Sequence, residues 1–373
     1  MVVFRIAFFI LLLTSSFHAF ARDVEEKGQS IPSKDSLMFY DGQEFVIIGK
    51  FHNEKNYNRF PQSYRKTLRP EVWDLSQNSA GISIRFRSNA TDITIRWRVT
   101  GEVSFPHMAL TGIRGVDLYA CSNREWKFIQ TGRPTAKTSQ YEMFKGGEPV
   151  SREYLLNLPL YDGVEAISIG VNAGAEISKP KEQLLISKKP VVYYGSSIAQ
   201  GGCASRPGMA FTNILSRMLD RSFINMGFSG EGTFDESVGE GMCEIDAALY
   251  VIDCNPNTEK ELIYDRAVKL VNQLKRNKPQ IPVLLIENCR YPKNEFMPVG
   301  RSEDLAKRAE LKKAFETLKK SGITDLYYQT GDGLIGYDNE ATVDGVHPTD
   351  LGMQRMADFL MPQIREILTN SRR

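Results

Sequence analysis

The sequence is short of the residues that hold metals and staple small folds. Its 373 residues include four histidines and five cysteines, with no Cys-x-x-Cys pair and no His/Cys run, which argues against a zinc site. The cysteines are Cys121, Cys203, Cys243, Cys254 and Cys289, an odd set that leaves at least one thiol free or paired with another chain. Cys203 and Cys243 are the candidates for one disulfide, with buried free thiols as the competing reading. An excess of one charge is lacking too. The formal net charge is +2 and no basic run carries interleaved aromatics, so nucleic acid is not an expected partner. No apolar run reaches the roughly 20 residues of a membrane span. Neither Gly-x-Ser-x-Gly nor His-Glu-x-x-His occurs, which sets aside two common hydrolase designs.

What is present begins with an export pattern. Arg5 precedes the apolar run Ile6 to Leu13, and Ala19-Phe20-Ala21 supplies a cleavage site. This layout predicts a signal peptide over residues 1–21 and a secreted or periplasmic protein with no stable membrane insertion afterwards. No cysteine follows the run to carry a lipid. The rest, with 42% apolar and 25% charged residues overall, suffices for one large or two ordinary domains.

Two rhythms divide that remainder. Residues 37–178 read as short strands: Ile82 to Arg87 and Ile93 to Val99 alternate apolar and polar residues around the turn-rich Ser88 to Asp92. Phe45 to Ile48, Val116 to Tyr119, Trp126 to Ile129, Tyr154 to Leu158 and Ala166 to Val171 extend the series, which predicts an antiparallel sandwich or jelly roll. The polar stretch Ser178 to Lys181 reads as a linker. Over residues 188–370, continuous apolar strands alternate with amphipathic stripes such as Ile263, Ala267, Leu270, Val271 and Leu274. The strands are Val191 to Tyr194, Phe223 to Met226, Leu249 to Asp253, Val283 to Glu287 and Leu326 to Tyr328. Thr258 to Glu261 carries a capping-box pattern. Strands buried on both faces and joined by helices predict a parallel sheet covered on each side.

In such sheets ligands bind at the carboxyl ends of the strands. The first strand ends in Gly195-Ser196-Ser197, where glycine permits a tight turn and leaves a serine at the strand end; a plain Gly/Ser turn reads the same way. The second ends in Asn225-Met226-Gly227-Phe228-Ser229-Gly230, whose backbone N–H groups suit a developing oxyanion. The third ends in Asp253-Cys254-Asn255-Pro256-Asn257, where a side-chain amide adds a donor. Histidine scarcity narrows the base. His52 and His107 fall in the strand-rich half, so His347 is the one histidine of the α/β half. Asp344, three residues before it, can orient its ring within a tight turn.

These ordered residues resemble the four blocks of the SGNH (GDSL-type) hydrolase superfamily, and Gly115-Val116-Asp117-Leu118-Tyr119 resembles the G-x-D-L-Y signature of a small domain preceding some members. The resemblance implies a flavodoxin-like parallel sheet sandwiched by helices, preceded by an all-β jelly-roll or sandwich domain. It also implies Ser197 as nucleophile, His347 as base, Asp344 as its partner, and an oxyanion hole made of the Ser197 and Gly230 N–H groups with Asn257, Asn255 remaining the alternative. No cofactor or metal is implied. Two departures stand out: Ser196 replaces the usual aspartate, and the third block lacks its G-x-N-D form.

The substrate expected from that architecture is an acetylated carbohydrate or another small ester. No long exposed apolar stretch stands near the motifs, as a lipase would show. The competing readings are a lysophospholipase or thioesterase and a non-catalytic glycan-binding protein. The stretch Tyr291 to Pro298 is either a wall of the site or a surface loop. Glu287 and Arg290 are expected to pair with each other, and Trp73, Trp97 and Trp126 are core residues or sugar platforms.

Overall fold

The computed structural model describes residues 36–370, so the expected signal peptide and its cleavage site lie outside the described residues. The chain first builds β1 (Leu37–Asp41), β2 (Val46–Ile48), helix α1 (Pro70–Ser76), β3 (Ser83–Ser88) and β4 (Ile93–Val99). Helix α2 (Leu110–Ile113), β5 (Val116–Ser122), β6 (Glu125–Gly132), β7 (Thr138–Phe144), β8 (Arg152–Asn157), β9 (Val164–Asn172) and β10 (Ile177–Ser178) follow. They form two antiparallel sheets, in the orders β1-β9-β4-β7 and β10-β3-β8-β5-β6, with β2 beside β3. Along β4, Ile95 and Trp97 face inward while Arg96 and Arg98 face water. The sheets close over Ile84, Phe86, Ile95, Trp97, Leu118 and Ile169. The mostly polar β7 escaped the sequence pattern because it is an edge strand, where few positions need burying.

The second half comprises β11 (Val191–Gly195), α3 (Ser197–Gln200), α4 (Phe211–Leu219), β12 (Phe223–Gly227), α5 (Glu236–Glu244) and β13 (Leu249–Asp253). It continues with α6 (Lys260–Asn277), β14 (Val283–Ile286), α7 (Pro298–Lys320), β15 (Leu326–Gln329) and α8 (Asp350–Asn370). The five strands are parallel in the order β12-β11-β13-β14-β15, the flavodoxin-like arrangement in which the strand order switches sides between β11 and β13. Alternation sends Val191 and Tyr193 toward α4 and α8, and Val192 and Tyr194 toward α5, α6 and α7. Each full burial of a large aliphatic side chain contributes about 1.5–3 kcal/mol, so the register of β11 is strongly specified.

The two halves interlock. Between β2 and β3 the chain leaves the sandwich, and Phe60, Tyr64, Leu68 and Val72 pack with Phe228, Val238 and Met242. Arg59, 1% exposed, donates to the Gly227 carbonyl and, at 2.6 and 3.1 Å, to those of Leu75 and Asn78. The stretch after β10 is no free linker either: the N–H groups of Lys181 and Glu182 donate to Glu153, and buried Arg85 donates to the Leu184 carbonyl. The capping box at α6 does not form. Glu259 caps the helix without a side-chain bond, because the Thr258 hydroxyl donates instead to the Cys254 carbonyl at 2.8 Å. All five cysteines are free, so the candidate Cys203–Cys243 bridge is absent. Among the described residues no helix is long and apolar enough to cross a membrane.

Candidate active site

β11 ends at Gly195, where any Cβ would lie 2.8 Å from the Asp253 carbonyl oxygen, so only glycine lets β11 and β13 come this close. The chain then turns into α3, with Ser196 at the cap accepting from the Ile198 N–H. Ser197 is thereby the first helical residue, and its N–H has no acceptor within the helix. Its hydroxyl lies 2.9 Å from His347 Nε2. Tyr161, from the sandwich half, donates its hydroxyl to the Ser197 backbone carbonyl at 3.1 Å.

His347 is held by a turn closed locally. The Val343 N–H donates to the His347 carbonyl at 2.8 Å. Asp344 Oδ1 accepts from the N–H groups of His347 and Val346, at 2.8 and 3.0 Å, while Oδ2 meets His347 Nδ1 at 2.8 Å. Partial burial works against ionisation of Asp344, but these hydrogen bonds prevail and hold its carboxyl at about 2. An ionised Asp344 fixes the proton on Nδ1 and leaves the Nε2 lone pair facing Ser197. The structure thus brings Ser197, His347 and Asp344 into one chain of contacts.

Ser197 and His347 open on a cavity of about 550 Å³ that Gly230, Asn257, Lys293 and Met297 also line. Gly230 has a φ of +77°, a left-handed conformation that glycine adopts without strain. The two asparagines left open by the sequence separate here. Asn255 is fully buried and donates to Asn288 at 2.8 Å, whereas Asn257 lines the cavity. Asn225 is also buried, tying β12 to α3 through the Ala199 carbonyl at 2.7 Å. Below the site, burial pushes the Asp253 carboxyl up to about 8, although a hydrogen bond from Tyr193 opposes the shift.

Other expectations are redistributed. Glu287 accepts from Tyr328 and the Gly331 N–H and faces Arg308, while Arg290 pairs with Glu295 at 3.2 Å, so the expected Glu287–Arg290 pair does not form. Glu287 is buried toward β15 and Arg290 points outward, so their nearness in sequence brings no contact. Tyr291, Lys293, Asn294 and Met297 place the 291–298 stretch on the cavity wall. Trp97 is buried in the sandwich core, and none of the three tryptophans lines the cavity. His107, left with the strand-rich half, stands with its ring 5.6 Å from that of His347. Cys203 reaches the same spot and donates to the His107 carbonyl at 3.5 Å; burial and then the nearby Asp344 charge push its thiol up to about 12. No sequence spacing signals this meeting, which depends on how the two halves dock.

The same ordered elements recur elsewhere. A family model described as GDSL-like lipase/acylhydrolase matches residues 188–365, and another, for the N-terminus of SGNH-hydrolase-type esterases, matches residues 37–177. A candidate GDSL-like lipase from Bacteroides ovatus is 34% identical with a TM-score of 0.86, the alignment covering 90% of this chain and 98% of that one. The chain belongs to the GDSL-like lipase/acylhydrolase family. Two more distant structures share the fold of this GDSL-like hydrolase. The salicylyl-acyltransferase of a tetracycline biosynthetic pathway is 16% identical with a TM-score of 0.70, covering 90% of this chain and 96% of that one. An acetyl xylan esterase from Butyrivibrio proteoclasticus is 9% identical with a TM-score of 0.55, covering 89% and 99%. No curated protein matches the sequence significantly.

Proposed function

We propose that this GDSL-like hydrolase is an exported serine esterase, and that its substrate is an O-acetylated carbohydrate. The reading rests on the Ser197–His347–Asp344 chain, whose hydroxyl, imidazole and carboxylate stand at 2.9 and 2.8 Å beside a cavity. His347 Nε2 takes the hydroxyl proton as Ser197 Oγ attacks the ester carbonyl, and Asp344 stabilises the imidazolium. The Ser197 and Gly230 N–H groups and the Asn257 amide receive the oxyanion. Collapse passes the proton to the departing alcohol. Water, activated by the same histidine, then releases acetate from the acyl-enzyme.

The polar walls of the cavity support a small acyl group on a hydrophilic alcohol. Lys293, Glu303, Asp304 and Lys307 line it, and a long acyl chain would gain little there. The shared architecture with an acetyl xylan esterase is consistent with this choice but carries fold alone. A second reading has its own observation. Although no long apolar stretch is exposed there, the short group Phe296, Met297 and Val299 is 80%, 53% and 82% exposed beside the cavity. Sequence hydropathy cannot tell a surface apolar residue from a buried one, and this rim suits a lysophospholipase or other acylhydrolase.

Acetate release from a panel of acetylated glycans, run with p-nitrophenyl esters of rising chain length, decides between them. Wild type should release acetate and prefer short chains, and Ser197→Ala should release none. A clear long-chain preference contradicts the acetylesterase reading, and equal rates in wild type and variant contradict the nucleophile. A wild type without ester hydrolysis favours a non-catalytic glycan-binding role. Export is tested by sequencing the mature N-terminus, which should begin at Arg22.

A further inference from the structure

Three side chains from distant parts of the chain meet at the edge of the cavity. His107 belongs to the loop after β4, Cys203 follows α3, and His347 faces Ser197. One ligating atom from each lies within 4.8 Å of the other two. Two imidazoles and a sulfur are the donors that borderline and soft divalent cations prefer. Zinc holds such atoms at about 2.0–2.3 Å, so closing around it asks for side-chain shifts on the order of 1 Å.

The cluster is fixed from several directions. The Cys203 thiol donates to the His107 carbonyl at 3.5 Å. Cys203 itself holds a φ of +68°, a left-handed conformation uncommon for a side-chain-bearing residue. The loop carrying His107 is tied at both ends, by the Gly101 N–H to Asp162 at 2.8 Å and by the Thr111 hydroxyl to the Ser205 carbonyl at 2.6 Å. His347 Nδ1 is committed to Asp344, so the nitrogen it offers a cation is Nε2. Three protein ligands with a fourth place for water make the composition of an open zinc site.

We propose that His107, Cys203 and His347 form an inhibitory site for a thiophilic divalent cation, with Zn²⁺ as its representative ion. The ion accepts one lone pair from each imidazole, binds Cys203 as thiolate and releases the thiol proton to water. Its bond to Nε2 uses the lone pair needed for the Ser197 proton, so metal binding and turnover exclude each other. The inhibitory half rests on His347 being the base of the proposed esterase; the binding half does not.

Two measurements on the full chain test this. In metal-buffered assays Zn²⁺ should inhibit ester hydrolysis, and EDTA should restore it. Measured against each variant's own metal-free rate, Cys203→Ser and His107→Asn should each raise the half-inhibiting Zn²⁺ concentration about tenfold or more. Cys243→Ser, on the distant α5, should behave as wild type. Independently of turnover, Co²⁺ added to the Ser197→Ala protein should give thiolate-to-cobalt charge-transfer absorption, lost when Cys203→Ser is added. Absence of that absorption overturns the site, even if the protein proves to hydrolyse no ester. Absorption without inhibition overturns the inhibitory role, as does inhibition that neither ligand substitution weakens.

Discussion

Asn257 faces the cavity and Asn255 does not, so losing each has a different consequence. If Asn257 is the proposed oxyanion donor, Asn257→Ala should lower kcat by a factor of about 10²–10³ with little change in KM. Asn255→Ala instead leaves Asn288 without its buried donor and should cost about 1–3 kcal/mol of stability. Steady-state kinetics and denaturant titration of both variants separate the roles, and a larger kcat loss in Asn255→Ala would reverse them. Asp253 couples stability to pH. It keeps its proton in the fold up to about pH 8, while the unfolded chain releases it near pH 4, so its contribution to stability falls as pH rises across that window. Asp253→Asn removes this dependence. Its denaturation midpoint should gain on wild type from pH 5 to pH 8, and a constant difference would contradict the buried neutral acid.

Among the elements, the β12 end is held by a residue from outside the parallel sheet. Arg59 satisfies carbonyls of Gly227, Leu75 and Asn78, so Arg59→Ala should destabilise by about 3 kcal/mol or more and loosen the turn that carries Gly230. A denaturant midpoint within error of wild type would contradict this. The dependence of β12 on Arg59 leaves no trace in the sequence. The five parallel strands were legible because each is a short apolar run, and Ser197 and Gly230 because each follows such a run. His347 and Asp344 were legible because a bond across three residues is local. The anchoring by residues 51–76 was not, since a segment's partner is set by tertiary packing that leaves no period in the sequence. Polar β7 failed for the related reason that an edge strand buries few side chains.

In the whole molecule, the sandwich and the parallel sheet build one site. Tyr161 donates to the Ser197 carbonyl, and the loop bearing His107 reaches His347, so the first half forms part of the surroundings of both residues rather than an appendage. This docking explains why a count of histidines by half singles out His347 and does not reveal His107 beside it. Two buried layers on one sheet hold the strand ends rigid, which the 2.9 Å contact between Ser197 and His347 requires. The proposed esterase depends on this contact activating Ser197. Fluorophosphonate treatment at neutral pH followed by peptide mass spectrometry reads that activation out. A single adduct should form on Ser197 and be lost in His347→Ala; an active enzyme left unlabelled, or labelled at another residue, would contradict this activation.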